Sequence, residues 1–196
     1  MAQHNTDQVA NWNGQSGERW VANQARLDAM AAVFGQAAIE AAAPATGERV
    51  LDVGCGAGAS SLALAARVGA GGHVLGVDIS EPLIGRARAL APPDTPVLFQ
   101  VADASSTELP EGAFDILFSR FGVMFFDDPT AAFAHMRRAL KPGARVAFVS
   151  GAAWPRTIGC ACRWARSRAS SRRRRCPIPK RPAHSRSATR GGWRVS

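Results

Sequence analysis

The residues most able to do chemistry lie in a glycine-rich segment and at acidic positions around it. The segment LDVGCGAG occupies residues 51–58 and includes the end of a short apolar run. Glycines there let the backbone turn sharply and let a ligand approach without a Cβ in the way. A helix that begins after them offers free N–H groups to an electronegative ligand group. We therefore predict a ligand-binding turn that contains Gly54, Cys55, Gly56 and Gly58.

Two classes of ligand suit this turn. Gly54, Gly56 and Ala59 satisfy the pattern G-x-G-x-x-G/A of dinucleotide-binding proteins. Asp52 argues against a dinucleotide, because its carboxylate would repel a pyrophosphate and attract an ammonium group. The alternative role of Asp52 is simply to cap a turn.

Two further acids end later apolar runs. Asp78, followed by Ile79, ends the second run, and Asp103, followed by Ala104, comes after the third. The first carboxylate can accept hydrogen bonds from two ribose hydroxyls, and the second from the exocyclic amine of an adenine. An ammonium group, a ribose and an adenine in this order describe S-adenosylmethionine.

These residues need a scaffold, and the apolar pattern provides one. Five short runs are almost continuously apolar, as in parallel strands that are covered on both faces. Helix signals separate them, among them Ser80 before Pro82, and Asp127 or Asp128 before Pro129. The alternation predicts an α/β, Rossmann-like, doubly wound sheet of five parallel strands with helices on both faces. The predicted strands are residues 49–53, 73–77, 96–101, 114–118 and 145–150.

The chain divides into three parts. Residues 1–48 are predicted to form an N-terminal helical lid, in which residues 17–43 have helical periodicity and Gly35 is predicted to break the helix. Residues 49–152 are predicted to form the Rossmann-like core. Residues 153–196 are predicted to form a basic, disordered tail.

The net charge of +9 comes from that tail. Residues 1–153 carry 11 basic and 15 acidic side chains, whereas residues 154–196 carry 13 basic and no acidic ones. Charge therefore does not indicate nucleic-acid binding by the whole protein, although the tail could bind RNA non-specifically. The tail has too few large apolar residues to offset the entropy of ordering, so we expect no final antiparallel strand pair and an exposed edge on the fifth strand.

Cysteine usage and hydropathy favour a cytoplasmic protein. The four cysteines form no disulfide framework, and no apolar run approaches the ~18 residues of a membrane span. Cys160, Cys162 and His184 match none of the common zinc sites, so no metal is expected. Cys55 is more simply a small space-filling residue than a reactive thiol, and His135 is not expected to be catalytic.

Together these motifs resemble the class I S-adenosylmethionine-dependent methyltransferases over about residues 12–150. Besides the turn, the resemblance includes VLGVDIS at residues 74–80 and FSRFGVMFFDDP at residues 118–129. The latter is similar to the small-molecule branch, which includes ubiquinone/menaquinone-biosynthesis enzymes. The resemblance implies in-line methyl transfer from S-adenosylmethionine to a small-molecule acceptor.

The resemblance also implies roles for individual residues. Gly54, Gly56 and Gly58 would line the methionine part of the cofactor, Asp78 would hold the ribose, and Asp103 with Ala104 the adenine. Ser119 and Arg120 would contact the cofactor through main chain. Trp12 and Trp20 would be lid aromatics. Independently of the resemblance, Phe121, Phe125 and Phe126 could line a substrate pocket or pack in the core around the fourth strand, and no general base is identified.

Two alternatives and one hypothesis about the tail remain open. The chain could be an NAD(P)-dependent oxidoreductase, which Asp52 disfavours, or a non-catalytic cofactor-binding protein with an RNA-binding tail. The tail has the composition expected of a GC-rich gene read out of frame. We therefore hypothesise that a truncation or frameshift replaced the native C-terminal part.

Overall fold

The elements follow one another as a helical N-terminal segment and then alternating strands and helices. A computed structural model describes residues 6–151 and the backbone of residues 161–166. No described helix is long and apolar enough to cross a membrane. The helices are α1 (Thr6–Asn13), α2 (Gln15–Ala22), α3 (Gln24–Ala42), α4 (Ala59–Val68), α5 (Glu81–Leu90) and α6 (Pro129–Arg138), with a 3₁₀ turn at Val123–Phe125. The strands are β1 (Arg49–Val53), β2 (His73–Asp78), β3 (Val97–Val101), β4 (Phe114–Arg120), β5 (Leu140–Ser150) and β6 (Ala161–Arg166).

The strands form one sheet in the order β3-β2-β1-β4-β5-β6. Neighbours from β3 to β5 run parallel, which confirms the predicted Rossmann-like architecture. Successive residues of β1 face opposite layers: Val50 packs in the cluster that includes α3 and α4, and Leu51 in the cluster that includes α6. Both side chains are fully buried. Strand β1 is therefore covered on both faces, as its sequence predicts, whereas Leu98 and Val101 of β3 are exposed.

Helix starts follow the capping signals. The Ser80 hydroxyl accepts a hydrogen bond from the N–H of Leu83, and the Asp128 carboxylate accepts one from the N–H of Ala131. Proline occupies the first turn of both helices. These contacts satisfy amide groups that a helix start leaves unpaired.

The predicted break at Gly35 is wrong. Helix α3 continues through Gly35, and the change of helix lies at Asn23, between α2 and α3. Gly35 is buried, and a Cβ on it would lie 3.1 Å from Cδ of Arg120 on β4. The glycine therefore serves close packing against the sheet and not helix termination.

The C-terminal edge of the sheet also differs from the sequence-based expectation. Strand β5 begins at Leu140, five residues earlier than predicted. Strand β6 pairs antiparallel with β5, from Arg145 opposite Arg166 to Ser150 opposite Ala161. The expectation of an exposed β5 edge is therefore wrong along this register. The unpaired N–H and C=O groups of an edge strand bind another strand through main chain alone, which composition does not report. The rest of the tail lies outside the described residues.

Candidate functional site

A cavity lies at the carboxyl ends of β1, β2, β3 and β4. The sheet changes winding direction between β1 and β4, and ligands of open α/β sheets bind at such a switch point. Seven of the ten residues predicted to bind a cofactor line this cavity: Gly54, Cys55, Gly56, Asp78, Ile79, Asp103 and Ala104. Asp52, Gly58 and Ser119 are not among its lining residues.

The glycines of the turn serve different purposes. Gly54, Gly56 and Gly58 all have positive φ angles, of 66°, 56° and 86°. A Cβ on Gly54 would lie 2.5 Å from Cα of Gly122, so two backbone segments touch there. Gly56 has no atom within 4 Å of its notional Cβ, which leaves open space beside it.

Gly58 is required by packing. A Cβ on it would lie 2.8 Å from Cζ of Phe99 and 3.0 Å from Cβ of Ala87. Gly58 also precedes the first residue of α4 in a left-handed conformation. Its role is therefore to bring α4 against α5 and β3, and the sequence pattern cannot separate this role from ligand contact.

Asp78 ties the turn to the end of β2. One carboxylate oxygen accepts from the N–H of Gly56 at 2.8 Å, and the other from the N–H of Ser80 at 2.9 Å. Burial raises the pKa of this carboxyl, and these backbone hydrogen bonds oppose the rise. Each oxygen keeps a lone pair, so the carboxylate can still accept from two ligand hydroxyls.

Asp103 follows β3 and opens a tight turn. Its carboxylate accepts from the N–H of Ser105 at 2.8 Å, and its carbonyl accepts from the N–H groups of Ser106 and Thr107. Ala104, beside it, is 5% exposed and packs in the core cluster of the α6 face. The turn therefore presents an acidic edge on a rigid support.

Asp52 lies beneath the turn. It is fully buried, and one carboxylate oxygen accepts from the hydroxyls of Ser60 (2.8 Å) and Ser61 (2.6 Å) on α4. The other oxygen, Oδ1, has no hydrogen-bond partner among the described residues. Burial raises the pKa of Asp52 to about 6, against the lowering effect of the two hydroxyls. The carboxylate thus ties β1 to the start of α4.

Ser119 holds the end of β4 against the end of β1. Its buried hydroxyl donates to the carbonyl of Val53 at 2.7 Å and accepts from the N–H groups of Gly122 and Val123. Phe121, which lies between Ser119 and Gly122 in the sequence, adopts a positive φ of 66°. The serine therefore fixes the segment that touches Gly54.

The N-terminal helices cover one side of the cavity. Asn13 donates to the carbonyl of Ile79 and accepts from the N–H of Glu81, both at about 2.8–2.9 Å. The hydroxyl of Ser80 donates to the carbonyl of Trp12 at 2.7 Å. A Cβ on Gly17 would lie 2.1 Å from the same Trp12 carbonyl, so α1 and α2 pack tightly.

Aromatic side chains join the helices to the cavity wall. Trp12 meets Trp20 and Phe125 edge to face, at centroid distances of 5.7 and 5.6 Å. Both tryptophans line the cavity together with Phe121, Phe125 and Phe126. Phe121 also packs on Phe34, so it both lines the cavity and packs against α3.

Sequence reasoning missed several cavity residues. Arg120, for which only main-chain contact was predicted, lines the cavity, and its side chain pairs with Asp28 on α3. Other lining residues are apolar or glycine and carry no chemical signal in the sequence: Ala31, Val53, Ala57, Leu83, Ala102 and Gly122.

The remaining reactive groups have structural surroundings. Burial raises the pKa of the Cys55 thiol, which disfavours its nucleophilic thiolate. His135 donates from Nε2 to the carbonyl of Thr107 at 2.7 Å and does not line the cavity. Cys160 lies outside the described residues, as does His184, and nothing is described of the Cys162 side chain.

Comparison with known proteins gives relatives of one kind. Aklanonic acid methyltransferase from a Streptomyces strain is 36% identical over 119 residues, 60% of this chain and 54% of the relative. Demethylmenaquinone methyltransferase from Clavibacter sepedonicus is 37% identical over 110 residues, 56% of this chain and 44% of the relative. The chain thus spans about half the length of these relatives.

Solved structures and a family pattern agree with them. A S-adenosylmethionine-dependent methyltransferase from Aquifex aeolicus superposes with a TM-score of 0.56 at 25% identity, covering 64% of this chain and 68% of that one. The pattern of a methyltransferase domain family matches residues 51–148, half of the chain. The glycine turn and most of strands β1 to β5 lie within the matched residues. The chain therefore belongs to the methyltransferase domain family.

Proposed function

We propose that this chain binds S-adenosylmethionine and belongs to an enzyme that transfers its methyl group to a small-molecule acceptor. The observation that carries the proposal is one cavity in which an open glycine turn on β1 adjoins carboxylates from β2 and β3. When bound, S-adenosylmethionine supplies a methyl group activated by a sulfonium. The family match and the relatives' names support the same reaction.

The residues present fit this cofactor. The open space beside Gly56 gives room for a ligand against the backbone, where a Cβ would stand in the way. In the proposed arrangement Gly54 and Gly56 border the methionine part, Asp78 accepts from the ribose hydroxyls, and Asp103 with Ala104 borders the adenine. The unpartnered Oδ1 of Asp52 adds negative charge beneath the turn, which favours a cationic ligand above it.

The main contribution of the chain to such a reaction is positioning. In-line transfer requires the attacking atom and the methyl carbon to be held about 3–3.5 Å apart, which contributes up to ~7–11 kcal/mol. Ser119 fixes the β4 end of the cavity, and the edge-to-face contact of Trp12 with Phe125 joins α1 to the cavity wall. We assign no general base to this chain.

The acidic groups also weigh against a dinucleotide. A pyrophosphate in this turn would lie above the buried Asp52 and beside Asp78, whose oxygen already holds the N–H of Gly56. That N–H is among those a pyrophosphate would need. Reduced nicotinamide cofactor is therefore the competing ligand to test.

Titration of S-adenosylhomocysteine into the folded chain, followed by calorimetry, tests the proposal. We expect saturable binding that Asp78→Asn weakens by at least about tenfold, because its amide must turn an NH₂ towards a backbone N–H. The matched control is Asp94→Asn, at an exposed aspartate outside the cavity. Thermal melts check that both variants fold. Binding of NADH in place of S-adenosylhomocysteine would overturn the proposal.

The division into a lid (1–48), a core (49–152) and a basic tail (153–196) is part of the same proposal. The contacts of Asn13 and Trp12 with the start of α5 support a lid that belongs to the site. A cytoplasmic location is proposed from the cysteine pattern, supported by the free, buried Cys55.

A further inference from the structure

Arg120 has an unusual position in the cavity. Among the described residues that line it, Arg120 carries the only positive side-chain charge, and Asp78 and Asp103 carry the negative ones. Asp78 ends β2 and Asp103 follows β3, whereas Arg120 ends β4, on the other side of β1. The acidic lining residues and the arginine, which pairs with Asp28, therefore lie on different sides of β1.

Arg120 uses only some of its hydrogen-bond donors. Its Nη2 donates to Oδ1 of Asp28 on α3 at 2.7 Å, and its side chain is 13% exposed. Nε and Nη1 have no hydrogen-bond partner among the described residues, and neither is fully enclosed by protein. A guanidinium offers five N–H donors in a rigid plane. N–H donors without an acceptor, at a site with so little exposure to solvent, favour an anionic ligand.

The surrounding structure makes room for this side chain. Helix α3 passes Arg120 at Gly35, where a Cβ would lie 3.1 Å from Cδ of the arginine. The Asp28 carboxylate, about two turns earlier on the same face of α3, accepts from Nη2 of the guanidinium. Nη2 carries a second hydrogen, which forms a two-donor edge with a neighbouring nitrogen, and such an edge matches the two oxygens of a carboxylate.

We propose that Arg120 binds a carboxylate of a ligand in this cavity, with Asp28 as the positioning residue for its guanidinium. The inference rests on the proposed function and deepens it. The carboxylate has two possible sources with the same chemistry: the amino-acid end of the cofactor, or the methyl acceptor. An acceptor bound in this way carries a carboxylate beside an apolar or aromatic body that would contact Phe121, Phe125 and Phe126, which line the cavity.

The test compares three proteins. They are the unsubstituted chain, Asp28→Asn, and the double variant Asp28→Asn/Arg120→Met. Asp28→Asn keeps the positive charge of Arg120 and removes the carboxylate that pairs with it. The double variant also removes the positive charge, and because Asp28 is already replaced, it leaves no unpaired carboxylate at this sheltered position. Each is checked by thermal melt before titration, and the single variant is the matched control for the double.

Two pairs of ligands distinguish the two sources. S-adenosylhomocysteine is compared with 5′-methylthioadenosine, which lacks the amino-acid end. 2-Naphthoate is compared with the neutral 2-naphthamide, with and without saturating S-adenosylhomocysteine. A charge-assisted contact changes the dissociation constant by at least about tenfold.

Two results support the inference. If the double variant loses at least about tenfold affinity for S-adenosylhomocysteine but not for 5′-methylthioadenosine, the carboxylate is the cofactor's. If it loses the preference for 2-naphthoate over 2-naphthamide, the carboxylate is the acceptor's.

Other results overturn it. If neither carboxylate ligand loses affinity relative to its neutral partner, Arg120 serves only to join α3 to the sheet. Normal S-adenosylhomocysteine binding would then leave the proposed function intact. If the folded, unsubstituted chain does not bind S-adenosylhomocysteine, the proposed function is contradicted. The comparison of 2-naphthoate with 2-naphthamide then still shows whether Arg120 binds a carboxylate.

Discussion

The glycine turn after β1 and the helices α1 and α2 border the same cavity, but they are held in different ways. The turn is fixed by backbone contact between Gly54 and Gly122 and by the buried Asp52. Helices α1 and α2 are held by a few separable contacts, chiefly those of Asn13 and of the Trp12 carbonyl with the start of α5. A change in the turn should therefore damage the whole fold, whereas a change in α1 or α2 should act mainly on ligand binding.

The largest effect is expected in the turn. Gly54→Ala should destabilise the protein by about 3 kcal/mol or more, because it combines a strained positive φ with a Cβ 2.5 Å from a backbone atom. Gly56→Ala is the matched control, since it has a positive φ but no neighbour within 4 Å. It should cost about 1 kcal/mol of stability and still weaken S-adenosylhomocysteine binding. Urea denaturation and calorimetry measure both, and equal losses of stability would contradict the comparison.

The second effect concerns the buried carboxyl beneath the turn. The pKa of Asp52 is raised from 3.8 to about 6, so the folded state holds its proton more tightly than the unfolded state. Its contribution to stability is therefore greatest below about pH 4 and falls until the pH exceeds about 6, by about 3 kcal/mol in total. Asp52→Asn lacks this titration.

Urea denaturation between pH 4 and pH 7 measures this effect as a difference between proteins. The stability of Asp52→Asn relative to the unsubstituted chain should rise with pH over that window. Asp94→Asn, at an exposed position, serves as the control with little expected change. A pH-independent difference between Asp52→Asn and the unsubstituted chain would show that folding does not raise the pKa of Asp52.

The lid should respond differently. Asn13→Ala removes two hydrogen bonds to the start of α5, which are worth about 1–2 kcal/mol together. We expect faster hydrogen exchange in α1 and α2, several-fold weaker S-adenosylhomocysteine binding and little change in the core. Asn23→Ala removes a hydrogen bond to Arg19 that stays within the lid, and is the control. Equal ligand affinities for the two variants would contradict a role of the lid in the site.

The smallest effect compares two glycines within helices. Gly85→Ala in α5 is exposed with no neighbour within 4 Å, so it should stabilise by about 0.5–1 kcal/mol. Gly35→Ala in α3 should gain less, because its Cβ would lie 3.1 Å from Cδ of Arg120. Thermal and urea denaturation measure both. Equal gains would mean that Arg120 moves aside without cost.

Much of the core followed from local sequence. The five parallel strands and the caps at Ser80 and Asp128 depend on apolar runs and on helix-start residues, which act over a few positions. The break at Gly35 failed because the glycine responds to Arg120, distant in sequence. Strand β6 was missed because an edge strand pairs through main chain, whatever its composition.

The candidate site divides in the same way. Residue types and spacing alone determined the glycine turn and the acids at the ends of β2 and β3, because chemistry at strand ends needs particular side chains at fixed offsets. Only the tertiary structure decided that Asp52 lies beneath the turn, that Gly58 serves packing, and that Arg120 meets Asp28 in the cavity wall. These outcomes depend on which helix covers which strand, and contacts between residues far apart in sequence settle that.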